Sequence, residues 1–136
     1  MPETLRLEIV TPEGMAFSDD VTMVTLPCLE GQLGIYPLHV PLITQVVPGE
    51  IIADKSGHET YLAVGEGLVD IAGDRVSIVT DMAIAADHID EAKVEEARQR
   101  AAARLSEHIS DEEVASVNAS LVRSLEQLHV KRRHKK

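Results

Sequence analysis

Every glycine and every proline of this 136-residue chain lies before residue 87. Glycine permits positive φ angles and proline removes a backbone donor, so both favour turns and strand ends over long helices. From Asp87 to Val130 the chain is instead rich in Ala, Glu, Arg and Leu, which are strong helix formers. The sequence therefore predicts a β domain over residues 1–86 and a helical domain over residues 87–130, followed by a basic tail over residues 131–136.

Short strands separated by turns account for the first part of the chain. Residues 5–9 alternate apolar and charged side chains, as in a strand with one buried face. Further strands are predicted at 21–26, 50–53, 58–64, 68–72 and 75–80, with turns at 11–14, 54–57 and 73–74. Because strands recur at a spacing of roughly 8–12 residues with no helical pattern between them, we expect an antiparallel sandwich or barrel.

Residues 30–50 hold three of the six prolines and three of the eight glycines. This density of residues that fix or release φ predicts an irregular but specified path. The segment is too apolar for a linker, so we interpret it as a corner between strands that ends in the Pro48-Gly49 turn.

Two helices are predicted after residue 87. Asp87 is expected to cap the first helix, which runs to about His108, and Ser110 with Glu113 forms a capping box for the second. Apolar residues at spacings of three and four indicate an antiparallel hairpin. The stripes consist of Ala97, Ala101 and Leu105 on the first helix and Val114, Val117, Leu121, Leu125 and Leu128 on the second. Since two short helices bury little apolar surface, the hairpin should dock on the sandwich or on another surface.

Composition limits the possible partners and compartments. The net charge of −10 argues against nucleic-acid binding, and the simplest interpretation of the basic tail is a solvated, frayed terminus. Three aromatic residues require an aliphatic core, and the single cysteine, Cys28, excludes an intramolecular disulfide. No apolar run approaches the ~20 residues of a transmembrane helix, and no leader pattern precedes the first strand, so a soluble protein is expected.

No catalytic or metal-binding pattern is present in the sequence. A P-loop and a nucleophile elbow are missing, and Gly65-Glu66-Gly67 lacks the third glycine of a dinucleotide site. The six histidines never pair at zinc-ligand spacing. We therefore expect neither an enzyme nor a metal protein.

The segment Glu30-Gly31-Gln32-Leu33-Gly34-Ile35-Tyr36-Pro37, continued by His39, Pro41, Leu42 and Thr44, resembles the signature of the ε subunit of bacterial F-type ATP synthases. In the family a glycine precedes the histidine, where this chain has Leu38. Residues 15–18, 65–70, 76–81 and the alanine-rich helices are also similar to the family, so the resemblance covers the whole chain. It implies a ten-stranded β-sandwich followed by a two-helix hairpin. If the family needs positive φ at this glycine, Leu38 carries strain of about 1–2 kcal/mol.

The resemblance also implies a function. Subunits of this family are non-catalytic parts of the central stalk, lie beside the γ subunit and contact the membrane c-ring. They couple ring rotation to γ during proton-driven ATP synthesis, and their place is peripheral, on the cytoplasmic side of the bacterial membrane. By resemblance, the loop that contacts the c-ring or γ consists of Glu30, Gly31, Gln32, Leu33, Gly34, Ile35, Tyr36 and Pro37, with His39 beside it.

The hairpin carries two further expectations from the resemblance. In some relatives it binds regulatory ATP, and the matching positions here are Ile89, Asp90, Lys93 and Arg123, with Lys93 in place of the family's arginine. In others the second helix enters the catalytic α/β hexamer and blocks hydrolysis, for which Arg123, Lys131, Arg132 and Arg133 are the candidates. Two alternatives stay open, namely an interaction module for an unrelated partner and an ATP sensor outside a rotary complex.

Overall fold

The computed structural model describes residues 4–107 and 110–134, and within them the chain forms ten strands, one turn of 3-10 helix and two α-helices. The strands are β1 Leu5–Thr11, β2 Gly14–Val21, β3 Met23–Cys28, β4 Gly31–Ile35, β5 His39–Val46, β6 Gly49–Lys55, β7 His58–Val64, β8 Gly67–Gly73, β9 Arg75–Thr80 and β10 Ala83–Ala85. The 3-10 turn is Ala86–His88, and the helices are α1 Glu91–Leu105 and α2 Asp111–Arg133. The predicted fold class is confirmed.

The strands form one hydrogen-bonded path that folds over into two layers. One layer has the order β10-β7-β6-β3, with β4 paired to the free side of β3, and the other has the order β5-β8-β9-β1-β2. A single residue pair, Cys28 with Val46, joins β3 to β5, and Lys55 of β6 pairs with Asp19 of β2 across the other seam at 3.0 Å. The arrangement is a sandwich close to a closed barrel, in which β1 and β9 are parallel and the other paired strands antiparallel.

The core between the layers is aliphatic, as the composition requires. The alternation predicted for the first strand holds, because Leu5, Leu7 and Ile9 are all at most 1% exposed while Arg6 and Glu8 lie on the other face. Val69, Ile71 and Ile78 join them from the neighbouring strands β8 and β9. Burial of these side chains supplies the main driving force for the fold.

Two predictions about the Pro/Gly-rich part of the chain are wrong. The strand predicted at 21–26 was expected to end before Pro27, but β3 continues through Pro27 to Cys28, because the Pro27 carbonyl still accepts a hydrogen bond from Val47 N–H at 2.9 Å. Residues 30–50 were expected to follow an irregular path, but 31–35 form strand β4 and 39–46 form most of the rest as strand β5. Gly34 leaves room for the Met23 side chain, and Gly31 adopts a φ of 118°, a backbone conformation that favours glycine.

The helices begin where polar side chains cap them. Ser110 accepts the Glu113 N–H at 3.2 Å, which confirms the predicted start of α2. The cap of α1 is Asp90, whose carboxylate accepts the Lys93 N–H at 3.2 Å, and not Asp87, which lies in the 3-10 turn. Helix α1 ends at Leu105, and the predicted end at His108 lies outside the described residues.

The prediction of a frayed tail is wrong for residues 131–133. Lys131, Arg132 and Arg133 complete the last turn of α2, and the helix ends at the cap residue His134. Their carboxylate and carbonyl partners lie on β6, the 3-10 turn and α1. These partners are far away in the sequence, so the sequence pattern did not predict the contacts. Lys135 and Lys136 lie outside the described residues.

Candidate partner-binding surfaces

An apolar row crosses the outer face of the β5-β8-β9-β1-β2 layer. In the strand register Leu68 lies opposite Val79, Val79 opposite Val10, and Val10 opposite Met15. Residues directly opposite one another on paired strands share a face. The four side chains, which we call the apolar row, are 59%, 62%, 37% and 55% exposed in that order. A shallow depression of about 490 Å³ runs along three of them, beside Gly67.

The apolar row lies on the side of the sheet that faces away from the core. The neighbours of its members along the strands, Ile9, Val69 and Ile78, are at most 1% exposed and point inward. Contiguous exposed apolar side chains on one face mark a surface that another molecule covers. The sequence indicates this surface through the apolar pairs Leu68-Val69 and Ile78-Val79. These pairs break the alternation of apolar and polar residues expected of a strand with one solvent-exposed face.

Gly67 borders the apolar row at the start of β8, where β8 and β9 approach closely. A Cβ at Gly67 would lie 2.0 Å from the carbonyl oxygen of Val79, so no larger residue fits between β8 and β9 at this point. The close approach of the two strands places the side chains of Leu68 and Val79 side by side.

The interface loop predicted at Glu30–Pro37 is not one surface. Ile35 is fully buried in the core and Leu33 is half-buried against it, so neither faces a partner. Glu30 precedes β4 and Tyr36 follows it, and six residues of extended chain separate the two by about 20 Å.

The two ends of β4 belong to opposite ends of the sandwich. Beside Glu30, the Leu29 N–H donates to the carbonyl of Gln45 at 3.1 Å, and Leu29 itself is 65% exposed. At the other end, the Tyr36–His39 turn lies next to the β8–β9 turn, where His39 is opposite Gly73. The exposed residues of the predicted set therefore form two separate candidate contacts.

Leu38 stands in the second of these turns with a φ of 65°. This is the left-handed region, in which a side chain with a Cβ costs about 1–2 kcal/mol. The turn keeps the geometry of a glycine position although the residue is leucine. The strained residue also presents an apolar side chain to solvent, since Leu38 is 57% exposed.

The predicted ATP-binding residues do not share one place. Asp90 caps α1, Ile89 is buried beneath it, and Lys93 is exposed. Arg123 instead pairs with Asp81 of the sandwich at 3.4 Å. Arg132 lies level with the first turn of α1, where it pairs with Glu91. Arg123 lies nine residues earlier in α2, about 13 Å away along the helix axis, so it is far from Asp90 and Lys93.

The basic residues predicted to contact the α/β hexamer all have partners within the chain. Lys131 Nζ donates to the Ala86 carbonyl at 3.2 Å, Arg132 pairs with Glu91 at 2.8 Å, and Arg133 pairs with Glu50 at 2.6 Å.

The pKa values of Cys28 and Tyr61, both in the sandwich, are raised above their ordinary values. Burial raises the pKa of the Cys28 thiol, which keeps it protonated and unreactive at neutral pH. Desolvation, followed by a hydrogen bond to Glu59, raises the pKa of Tyr61, whose ring lies under the end of α2.

Residues 4–107 and 110–134 contain neither a metal-binding cluster nor a membrane-spanning helix. In these ranges no three His, Cys, Asp or Glu side chains are grouped to hold a metal ion. No helix in the same ranges has both the length and the apolar character needed to cross a membrane.

Comparisons with known proteins follow the same division of the chain. Residues 4–86 match the model of the ATP synthase delta/epsilon chain β-sandwich domain, and residues 87–132 match that of the delta/epsilon chain long α-helix domain. The ATP synthase epsilon chain of Chloroflexus aggregans is 41% identical over 131 residues, covering 96% of this chain and 94% of that one. The epsilon chain of Herpetosiphon aurantiacus is 38% identical and covers 93% of both chains.

Solved structures share the fold at low sequence identity. A chain in the cryo-EM structure of the Euglena gracilis mitochondrial ATP synthase superposes with a TM-score of 0.70 at 20% identity, covering 90% of this chain and 78% of that one. A chain of the Tetrahymena thermophila mitochondrial ATP synthase central stalk and c-ring gives 0.61 at 13% identity, covering 93% and 96%. The two family models together span nearly the whole chain, and the chain belongs to the ATP synthase delta/epsilon family, as an epsilon chain.

Proposed function

We propose that this chain is a non-catalytic subunit of the central stalk that couples rotation of the c-ring to γ. The apolar row carries the proposal, because its four exposed apolar side chains share one face of a sheet whose opposite face forms the buried core. In this proposal γ covers the apolar row, and the c-ring contacts the sandwich end that carries Leu29, Glu30 and Gln32. The complex, not a span of this chain, holds the subunit at the cytoplasmic side of the membrane.

A charge placed in the apolar row tests the contact with γ. We expect Leu68→Asp to reduce co-purification of the chain with γ by about tenfold or more, because a buried unpaired carboxylate is costly at the centre of an interface. Val122→Asp on α2 is the matched control, since Val122 is 41% exposed and lies outside the row. Equal retention of γ by both variants would refute the proposed contact.

We further propose that the hairpin restrains ATP hydrolysis by the assembled complex. The test compares hydrolysis by complexes that carry the full chain or a chain truncated after Ala86. The core of the sandwich lies between Leu5 and Ile78, so truncation leaves it whole. We expect assembly to survive and hydrolysis to rise several-fold, and equal rates in an intact, coupled complex would limit the hairpin to a structural role.

A further inference from the structure

The polar contacts between α2 and the rest of the molecule are concentrated at its C-terminal end. We call residues 131–134 the C-terminal latch. Earlier in α2, one polar side-chain contact with the sandwich is found within the described residues. It joins Arg123 to Asp81. Beside that pair, a cleft of about 270 Å³ separates Ala119 and Val122 from Gly65 and Pro48. The middle of the helix is therefore loosely held.

Glu50 of β6 is the centre of the latch contacts. Its side chain is only 8% exposed, and each carboxylate oxygen has its own partner. Oε2 accepts from Arg133 Nη1 at 2.6 Å, and Oε1 lies 3.0 Å from His134 Nε2. A nearly buried carboxylate needs such partners, since leaving it unpaired is much more costly than losing an exposed ion pair.

The other latch residues reinforce the contact from three elements. The imidazole of His134 stacks on the ring of Tyr61 of β7, with centroids 3.6 Å apart and planes 14° from parallel. Lys131 donates to the carbonyl of Ala86 in the 3-10 turn, and Arg132 bridges Glu91 and Glu95 of α1 at 2.8 and 3.3 Å. Beneath them Val130 is fully buried in the small apolar cluster with Ala63 and Ala86.

We infer that Glu50 closes a latch on the last turn of α2, and that its release is the step that frees the hairpin from the sandwich. Three of the cations predicted to contact an acidic partner, Lys131, Arg132 and Arg133, are occupied while the latch is closed. Release makes the same charges available to another protein. A two-state element of this kind is biased by whatever contacts differ between its states. The regulatory meaning of the latch rests on the proposed function of the hairpin.

Amide hydrogen exchange on the isolated full-length chain tests the latch directly. The variants are Glu50→Gln and the double variant Arg133→Gln/His134→Ala. The control is Arg100→Gln, which removes a hairpin charge whose partner among the described residues is Glu96, at i−4 on α1. Because an undocked pair of short helices is marginal in water, release should expose the α2 amides to exchange.

We expect amides of residues 121–130 to exchange about tenfold faster in both variants and at the parent rate in Arg100→Gln. Parent-like exchange in the double variant would overturn the latch. If Glu50→Gln also accelerates exchange in the sandwich core, the double variant, which leaves β6 intact, decides the question.

The failure of the latch and that of the proposed function are distinguishable. Co-purification of the latch variants with γ depends on the apolar row, which lies on the other layer. Retained γ with unchanged exchange refutes the latch alone. Lost γ binding by the parent chain with faster exchange in the variants refutes the proposed function and leaves the latch as a property of this fold.

Discussion

The sandwich and the hairpin are stabilised in different ways. Seventeen side chains of the sandwich form one buried cluster that draws on β1 to β9. In the hairpin, α1 has no buried residue, and α2 has three, Ser124, Leu128 and Val130, all in its C-terminal half. The sandwich therefore has a core of its own, whereas the hairpin depends on docking at one end. The same chain thus joins a unit with a large buried core to a helical unit with little buried surface of its own.

The largest effect should follow removal of a core side chain from the sandwich. We expect Leu7→Ala to lower the free energy of unfolding by about 3 kcal/mol, because Leu7 is fully buried at the centre of β1 and its loss leaves a cavity. Urea denaturation followed by circular dichroism measures the change. Leu105→Ala on α1 is the matched control, and we expect it to cost under about 1 kcal/mol since Leu105 is only half-buried. Similar losses in both would remove the contrast between the two units.

A smaller, local effect is expected from Leu128→Ala. Leu128 is 1% exposed on α2, and its truncation should destabilise the hairpin by about 2 kcal/mol while the sandwich core remains intact. Helical circular dichroism should then be lost at a lower urea concentration than the strand signal.

Val122→Ala provides the comparison for that variant, because Val122 is on the same helix and exposed. A single transition for helix and strand in Leu128→Ala would mean that hairpin and sandwich unfold as one cooperative unit.

Much of this architecture could be predicted from the sequence, since it depends on local patterns. The alternation of Leu5–Ile9, the capping box at Ser110 and the absence of glycine after residue 87 each report on neighbours in the chain. The strand β4 was missed because Pro37 and Gly34 favour a loop locally, and pairing with β3 overrides that preference.

The two candidate surfaces could not be predicted from the sequence, because each depends on which distant residues lie side by side in the folded chain. The apolar row needs Val10 beside Val79, a parallel pairing of strands that are nearly seventy residues apart. The latch needs Glu50 beside Arg133, which are 83 residues apart. Long-range pairs of this kind follow from topology, so the sequence patterns placed Val79 and Glu50 in strands but did not place them beside Val10 and Arg133.

The sandwich is stable enough to hold one strained turn, and this can be measured. We expect Leu38→Gly to raise the free energy of unfolding by up to about 1 kcal/mol, because glycine adopts a φ of 65° without the Cβ penalty. The gain is less than the full strain since glycine also increases the entropy of the unfolded chain. Ile43→Gly, in the regular part of β5, should instead be destabilising. A loss of stability in Leu38→Gly would show that contacts of the leucine side chain outweigh the strain.

The smallest effect concerns single ion pairs, one in each unit. The hydrogen bond from Lys55 lowers the pKa of Asp19 at the sandwich seam below its ordinary 3.8, and that from Arg98 lowers the pKa of Glu95 on α1 below its ordinary 4.5. A carboxyl whose pKa is lower in the folded state stabilises the fold when the pH is above the ordinary pKa, and this contribution disappears as the pH falls through the folded pKa.

In an NMR titration, Lys55→Met should raise the pKa of Asp19 toward 3.8. Part of the lowering should remain, because Asp20 N–H still donates to Asp19 at 2.8 Å. Glu95 in the same sample is the control and should titrate as in the parent, because its partners lie within the hairpin. An unchanged Asp19 pKa would mean that Lys55 is solvated and that the seam is held by its backbone bonds, such as that from Thr22 N–H to the Asp54 carbonyl at 2.7 Å.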